Sequence, residues 1–263
     1  MWIMLGSSFP ARQQLTVRWI LAFCTFCILT VADLIAATSN NSTRRSRASV
    51  ITPIPITFST LAEGIILLEP PYGIPPSKIV RLDIYGELLC PDYRDFVTTV
   101  ESRILEKYKH TNLLVLLHLF PLPYHHASYV VNQAALGLST TAKDDDPGDT
   151  LRLFRNAVFP VQEIFGNEAT MNKTTTEIMQ VVGDIAASVG LSREVAMALD
   201  RDVDMKLRST IKAAWERGVT GTPSLYLNSV PLYLAGTDRW TEGLLSDVID
   251  ACAMDSSNVV DFA

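Results

Sequence analysis

Ile79-Val-Arg-Leu-Asp-Ile-Tyr-Gly-Glu-Leu-Leu-Cys-Pro-Asp-Tyr93 joins a strand-like run to a helix start within fifteen residues. Ile79–Tyr85 is rich in β-branched and aromatic side chains, as a strand requires. Pro91 suits the first position of a helix, where its missing N–H costs nothing. Beyond it, Phe96, Val100, Ile104 and Tyr108 recur every four residues, a helical apolar face. Leu113–Phe120 is then a continuous apolar run closed by Pro121, the pattern of a strand buried on both faces. Strand, helix and buried strand in this order predict a parallel βαβ unit.

Upstream, Gly64-Ile-Ile-Leu-Leu68 reads as a short strand bounded by Pro70-Pro71. Ile51–Ile56 carries Pro53 and Pro55, so a strand there belongs at a sheet edge. Downstream, the period turns helical from Tyr124 to Trp215. Helices are expected over Ala127–Leu138 and Leu151–Phe165, the second capped by Asp149 or Thr150. Thr174-Thr-Thr-Glu177 is a capping box ahead of Ile178, Val182, Ile185 and Val189. Ser192 caps a further helix, and Met205–Arg217 forms the last of the block. Met179, Met197 and Met205 are expected to fill the core. The chain then returns to β structure in Gly218-Val-Thr-Gly-Thr-Pro-Ser-Leu-Tyr-Leu-Asn228 and Val230–Leu234. A final helix should place Trp240, Leu244, Val248 and Cys252 on one inward side. No internal repeat is visible.

The chain has 263 residues, 48% hydrophobic and 19% charged, enough to bury a sizeable core and too apolar for a disordered chain. A net charge of -6 argues against a nucleic-acid binder that works by neutralising phosphates. Four cysteines are too few for a disulfide scaffold of this length. Arg12 and Arg18 precede the apolar run Trp19–Ala32, and small residues follow at Ala36-Ala37. This is the pattern of a secretory signal peptide, with an uncleaved signal anchor as the alternative. Cys24-Thr-Phe-Cys27 falls inside that apolar run, where no folded wall would support redox chemistry. Residues 38–49 are polar and lack periodicity, a linker. Asn40, Asn41 and Asn172 head glycosylation sequons, which gain meaning behind a secretory signal. The acidic loop Lys143–Asp149 lacks the alternating spacing of a Ca²⁺ loop.

The order of elements, with Cys90-Pro-Asp-Tyr93 at a helix start and Gly218-Val-Thr-Gly-Thr-Pro223 after a helical block, resembles the thioredoxin fold. More narrowly it resembles the DsbA-like family, whose helical domain is inserted into that fold. The resemblance spans Ile79 to Cys252. It implies an α/β, thioredoxin-like domain over 50–123 and 216–263, with an all-helical insertion over 124–215, after a signal segment at 1–37. It makes Pro223 the family's cis-proline, facing the active cysteine. It also exposes a departure. The family's motif is C-x-x-C, and here Tyr93 stands in the fourth position. Cys90 keeps the nucleophile's place, but an intramotif disulfide cannot form. Replacing Tyr93 with cysteine is expected to restore one.

A cysteine at a helix N-terminus gains thiolate stabilisation from backbone N–H groups, which Asp92 opposes and Arg94 offsets. Cys90 is then either a reactive single thiol or a relic under a Tyr93 lid, and Tyr93 is most simply a packing residue. Cys252 is expected as a buried, unreactive thiol, and His118 as a core histidine. His125-His126 lacks the further ligands of a metal site, and none is expected. Two functions stay open. One is a secretory-pathway thiol–disulfide oxidoreductase, in the endoplasmic reticulum lumen or outside the cell. There Cys90 would attack polypeptide disulfides, Pro91, Tyr93, Thr222 and Pro223 would contact substrate, and glutathione could serve as co-substrate. The other is a redox-inactive module that holds client polypeptides. A glutathione transferase of the related kappa type is a weaker third. A membrane enters only if the N-terminal segment stays uncleaved.

Overall fold

The computed structural model describes residues 64–141, 146–234 and 239–256. The expected signal segment, the linker, the strand at Ile51–Ile56 and the sequons at Asn40 and Asn41 lie outside them. Five strands form one mixed sheet: β1 (Ile65–Leu68), β2 (Val80–Gly86), β3 (Leu113–Leu119), β4 (Ser224–Leu227) and β5 (Val230–Leu232), in the order β1-β3-β2-β4-β5. β2 and β3 pair in parallel, from Val80 opposite Leu113 to Gly86 opposite Leu119, and every other pairing is antiparallel. The βαβ unit is therefore as expected. All seven residues of both central strands are buried, because helices cover both faces of a parallel pair.

The crossover is not one regular α-helix. α1 (Pro91–Phe96) passes through a π turn at Val97–Glu101 into α2 (Ser102–Lys107). On a straight α-helix, residues four apart drift by about 40° per step. The wider π turn absorbs drift, and Phe96, Val100, Ile104 and Tyr108 all end up buried. The same turn brings Glu101 inward, 1% exposed.

The helical block contains α3 (Ser128–Thr141), α4 (Pro147–Val158), the short α5 (Asn167–Thr170), α6 (Thr175–Ser188), α7 (Arg193–Met197) and α8 (Arg201–Glu216). Two caps match their sequence signals. Thr174 and Glu177 form the reciprocal capping box of α6, and the Ser192 hydroxyl accepts from the Val195 amide. Other expectations need correction. α4 starts earlier, on Asp146, whose carboxylate accepts from the Gly148 and Asp149 amides at 2.8 and 3.0 Å. It also stops at Val158, because Pro160 cannot continue an α ladder, and Phe159–Phe165 winds as a 3₁₀ helix. Met205 is 52% exposed and fills no core. At the terminal helix α9 (Glu242–Ser256), Trp240, Val248 and Cys252 pack against the core as expected, but Leu244 is 45% exposed and the fully buried residues are Leu245 and Ile249.

The insertion also closes one rim of the sheet. The Arg152 guanidinium of α4 donates to the Leu67 carbonyl of β1 at 3.0 Å. A side chain at Gly148 would strike the Ile66 carbonyl, so α4 can start against β1 only on a glycine. The other rim is β5, three residues long with Pro231 at its centre. β4 and β5 are joined by Asn228 and Ser229, both at positive φ (48° and 68°), the twist a two-residue hairpin favours.

One face of β2 carries charge into the core. Asp83 is fully buried and accepts from Arg81 Nε at 3.0 Å and Nη2 at 2.6 Å, and His118 Nε2 lies 2.7 Å away. Arg217 donates to the Tyr85 hydroxyl at 2.9 Å and approaches Asp83 to 3.8 Å. Burial pushes the Asp83 carboxyl up, but His118 and Arg81 outweigh it and hold its pKa below the ordinary value of 3.8. Such a carboxylate contributes stability above its unfolded pKa, lost as pH falls through the lower folded one. Urea unfolding of the protein should therefore show stability falling below about pH 4. Asp83→Asn, which leaves Arg81 buried without its carboxylate, should lose about 3–5 kcal/mol at pH 7 and show a flatter acid limb. An unchanged acid limb in the variant would remove Asp83 as its source.

Candidate functional site

Cys90 is the N-cap of α1 and is 5% exposed. Its backbone N–H donates to the Glu87 carbonyl at 3.1 Å, and its own carbonyl accepts from Arg94 at 3.0 Å. Gln162, from the 3₁₀ helix, donates through Nε2 to the Leu88 carbonyl at 2.7 Å and reaches the Cys90 carbonyl at 3.4 Å. The loop before the cysteine is thus tied to the helical insertion. The Cys90 thiol donates to the Thr222 carbonyl at 3.3 Å. The Thr222–Pro223 peptide bond is cis. Cys90, Thr222 and Pro223, distant in sequence, are brought together as expected. Pro91 is exposed beside them.

Next to the cis-proline lies a groove of about 610 Å³, lined by Thr222, Pro223, Leu232, Tyr233 and Trp240 on its apolar side. Asp92, Asp95 and Arg239 supply its polar side, with Arg239 bridging both carboxylates at 3.2 and 3.3 Å. These pairs are solvent-exposed and add little stability. A second cleft of about 750 Å³ is lined by Leu89, His125 and Gln162.

Three residues before Cys90, Glu87 is fully buried and its Oε2 lies 2.7 Å from His125 Nδ1. Burial pushes the Glu87 carboxyl up, against opposing contacts with Ser128 and His125. Tyr124 stands edge-on to His125, ring centres 5.0 Å apart. Its phenol is pushed up by burial, then by negative charge at Cys90, Glu87 and Asp92. Sequence reading missed Glu87. Its signal was a lone acid in an apolar strand-to-helix loop, three residues before the cysteine.

Tyr93 does not face the groove. It is 0% exposed, so it cannot contact a substrate as the sequence suggested. Its ring fills the space below Gly86, where an added Cβ would lie 2.5 Å from ring carbons. Its hydroxyl donates to Glu101 Oε2 at 3.4 Å and accepts from Arg155 Nη1 at 3.1 Å. Arg155 and Glu101 pair at 2.7 Å, both nearly fully buried. Burial and the Glu101 charge push the Tyr93 phenol far up, so it stays neutral. Tyr93 is thus a structural post between α1 and α4.

Cys252 is half-buried rather than fully buried, whereas Cys90 is a buried free thiol. His118 is in the core, with Asp83. Asn172 is exposed in the turn between α5 and α6. Among the described residues no cluster of three His, Cys, Asp or Glu is arranged to hold a metal ion. None of the described helices is long and apolar enough to cross a membrane.

No protein-family model and no curated protein matches this sequence. Solved structures do match. Wolbachia pipientis α-DsbA1 superposes with a TM-score of 0.54 at 20% identity, covering 75% of this chain and 96% of that one. A Pseudomonas syringae protein provisionally described as a protein-disulfide isomerase gives 0.54 at 17% identity, covering 72% and 97%. Proteus mirabilis ScsC in a transitional conformation gives 0.53 at 16% identity, covering 94% and 99%. The sheet, the cis-proline and the helical insertion, together with these likenesses, make the chain a thioredoxin-fold protein of DsbA-like architecture.

The geometry changes what the Tyr93→Cys substitution should do. It removes a buried ring and leaves Glu101 and Arg155 without their shared hydroxyl. Denaturant unfolding should show a loss of about 3 kcal/mol or more. Gly86→Ala should also destabilise the natural protein, by forcing the Tyr93 ring. In the Tyr93→Cys background it should cost less, because its methyl enters vacated space. Strict additivity in this double-mutant cycle would contradict the packing described.

Proposed function

We propose that the protein is a thiol–disulfide exchange protein of the secretory pathway that works through one cysteine, Cys90, on polypeptide thiols and disulfides. The observation that carries this reading is the Cys90 thiol at a helix N-terminus, 3.3 Å from the carbonyl before cis-Pro223. A backbone N-terminus favours thiolate, and the neighbouring apolar groove suits an extended chain. Thr222, Pro223 and Pro91 form the contact surface beside the sulfur. With Tyr93 in the resolving position, a mixed disulfide on Cys90 waits for an external thiol, and glutathione is the natural co-substrate. The N-terminal charge and apolar pattern supports the compartment. Asn172 is the exposed glycosylation acceptor, since Thr174, its sequon threonine, caps α6 on a solvent-facing turn.

One observation favours the alternative of a redox-inactive client-binding module. Cys90 is 5% exposed, and its hydrogen bond to a carbonyl is one that a thiolate cannot make. A single measurement separates the two. Incubation with oxidised glutathione should add one glutathionyl group, read by intact mass, and Cys90→Ser should abolish the addition. Turnover in insulin reduction should stay near background, because no intramolecular thiol releases the product. Failure to glutathionylate, with a client peptide still bound in the groove, would establish the binding module instead.

A further inference from the structure

The exchange reading leaves a proton without a carrier. The Cys90 thiol hydrogen points at the Thr222 carbonyl, which accepts a hydrogen bond but does not take up a proton at neutral pH. The leaving sulfur of an alkyl disulfide also needs a proton. Asp92, on α1, is an exposed carboxylate paired with Arg239 and a weak base. Arg94, on the same helix, has no lone pair to offer. Tyr124, from the loop after β3, is pushed further from a useful range. Glu87 is sealed from solvent. Gln162, from the 3₁₀ helix, does not ionise. The cis-proline segment Gly218–Pro223 carries no titratable side chain. An imidazole is the side chain that takes up and returns protons near neutral pH, and His125 lines the cleft that reaches Leu89, the residue before Cys90.

His125 is fixed for that task. Its Nδ1 is 2.7 Å from Glu87 Oε2, so the tautomer with the proton on Nδ1 donates to the buried carboxylate and leaves Nε2 with a lone pair. The side chain is 24% exposed. It lines the same cleft as Leu89, the residue before Cys90. Glu87 belongs to the turn that sets the cysteine, through the Cys90 amide on its carbonyl at 3.1 Å. One short turn therefore orients both the sulfur and, through a carboxylate, the imidazole.

Resting on the exchange reading above, we infer that His125 carries the proton of thiol–disulfide exchange at Cys90, with Glu87 as its positioning residue. Cys90 passes its proton to His125 Nε2, and the sulfur attacks one sulfur of the client disulfide. The Cys90–client S–S bond forms as the client S–S bond breaks. The electron pair of the broken bond goes to the leaving sulfur, which takes the proton back from His125. An external low-molecular-weight thiol then repeats the exchange and releases Cys90 reduced.

The test compares two disulfides on the full chain. Oxidised glutathione loses an alkyl thiolate that needs a proton. An aromatic disulfide such as dithiobis(nitrobenzoate) loses a thiolate that is stable without one. The ratio of their single-turnover rates cancels the thiolate fraction of Cys90 and any loss of folded protein. In His125→Ala and in His125→Gln the ratio should shift about ten-fold or more against glutathione. Gln can still hydrogen-bond Glu87 but cannot carry a proton. Glu87→Gln should shift the ratio the same way by less. An unmoved ratio in all three variants overturns the role of His125 while leaving exchange intact. If the natural protein reacts with neither disulfide, the exchange reading itself fails, and this inference with it.

Discussion

The contact on which the rest depends is the Tyr93 ring below Gly86, clasped by Glu101 and Arg155. Burying an ion pair is not a gain in itself, because removing two charges from water costs as much as their attraction returns. The ring changes the balance. It adds apolar burial and offers each charge a hydroxyl contact. Three elements meet there: α1 through Tyr93, the π turn through Glu101 and α4 through Arg155. The helical insertion is thus joined to the helix that Cys90 caps, at Tyr93. The residue three after Cys90 is thus a structural joint.

A second set of contacts holds the opposite wall of the site. The cis-proline segment follows Arg217, whose guanidinium lies 4.4 Å from the Tyr226 ring centre and hydrogen-bonds Tyr85. Tyr226 returns a hydrogen bond to the Arg217 carbonyl at 2.8 Å. Asp83, His118 and Arg81 support these groups from within the sheet. The Thr222 carbonyl therefore meets Cys90 from a scaffold fixed by buried charge, whereas the cysteine is fixed by backbone and Gln162. The sulfur lies between two independently anchored loops.

Much of this was legible in the sequence, and the failures have physical causes. The apolar run and proline stop of β3 were legible because a strand buried on both faces tolerates little else, and β2 was legible from its β-branched and aromatic residues. Thr174 and Ser192 were readable because a cap is a local event. Asp146 was not, since three acids in a row offer equal caps and only the approach of Gly148 to β1 selects among them. The inward face of α9 was misjudged by one residue: Leu244 and Leu245 are equally apolar, and tertiary packing decides. Tyr93 was read from its motif position, which fixes backbone placement but not the direction of a side chain. Glu87 and His125 lie 38 residues apart, and no periodicity links a loop carboxylate to an imidazole across a strand.

The two sheet rims bear on the company this protein can keep. A free strand edge invites any extended, partly folded chain to add itself by backbone hydrogen bonds, without regard to sequence. Here Arg152 occupies a carbonyl on the β1 side, and on the β5 side Pro231 removes an amide from a rim three residues long. With both rims blocked in this way, neither offers a template for such strand addition.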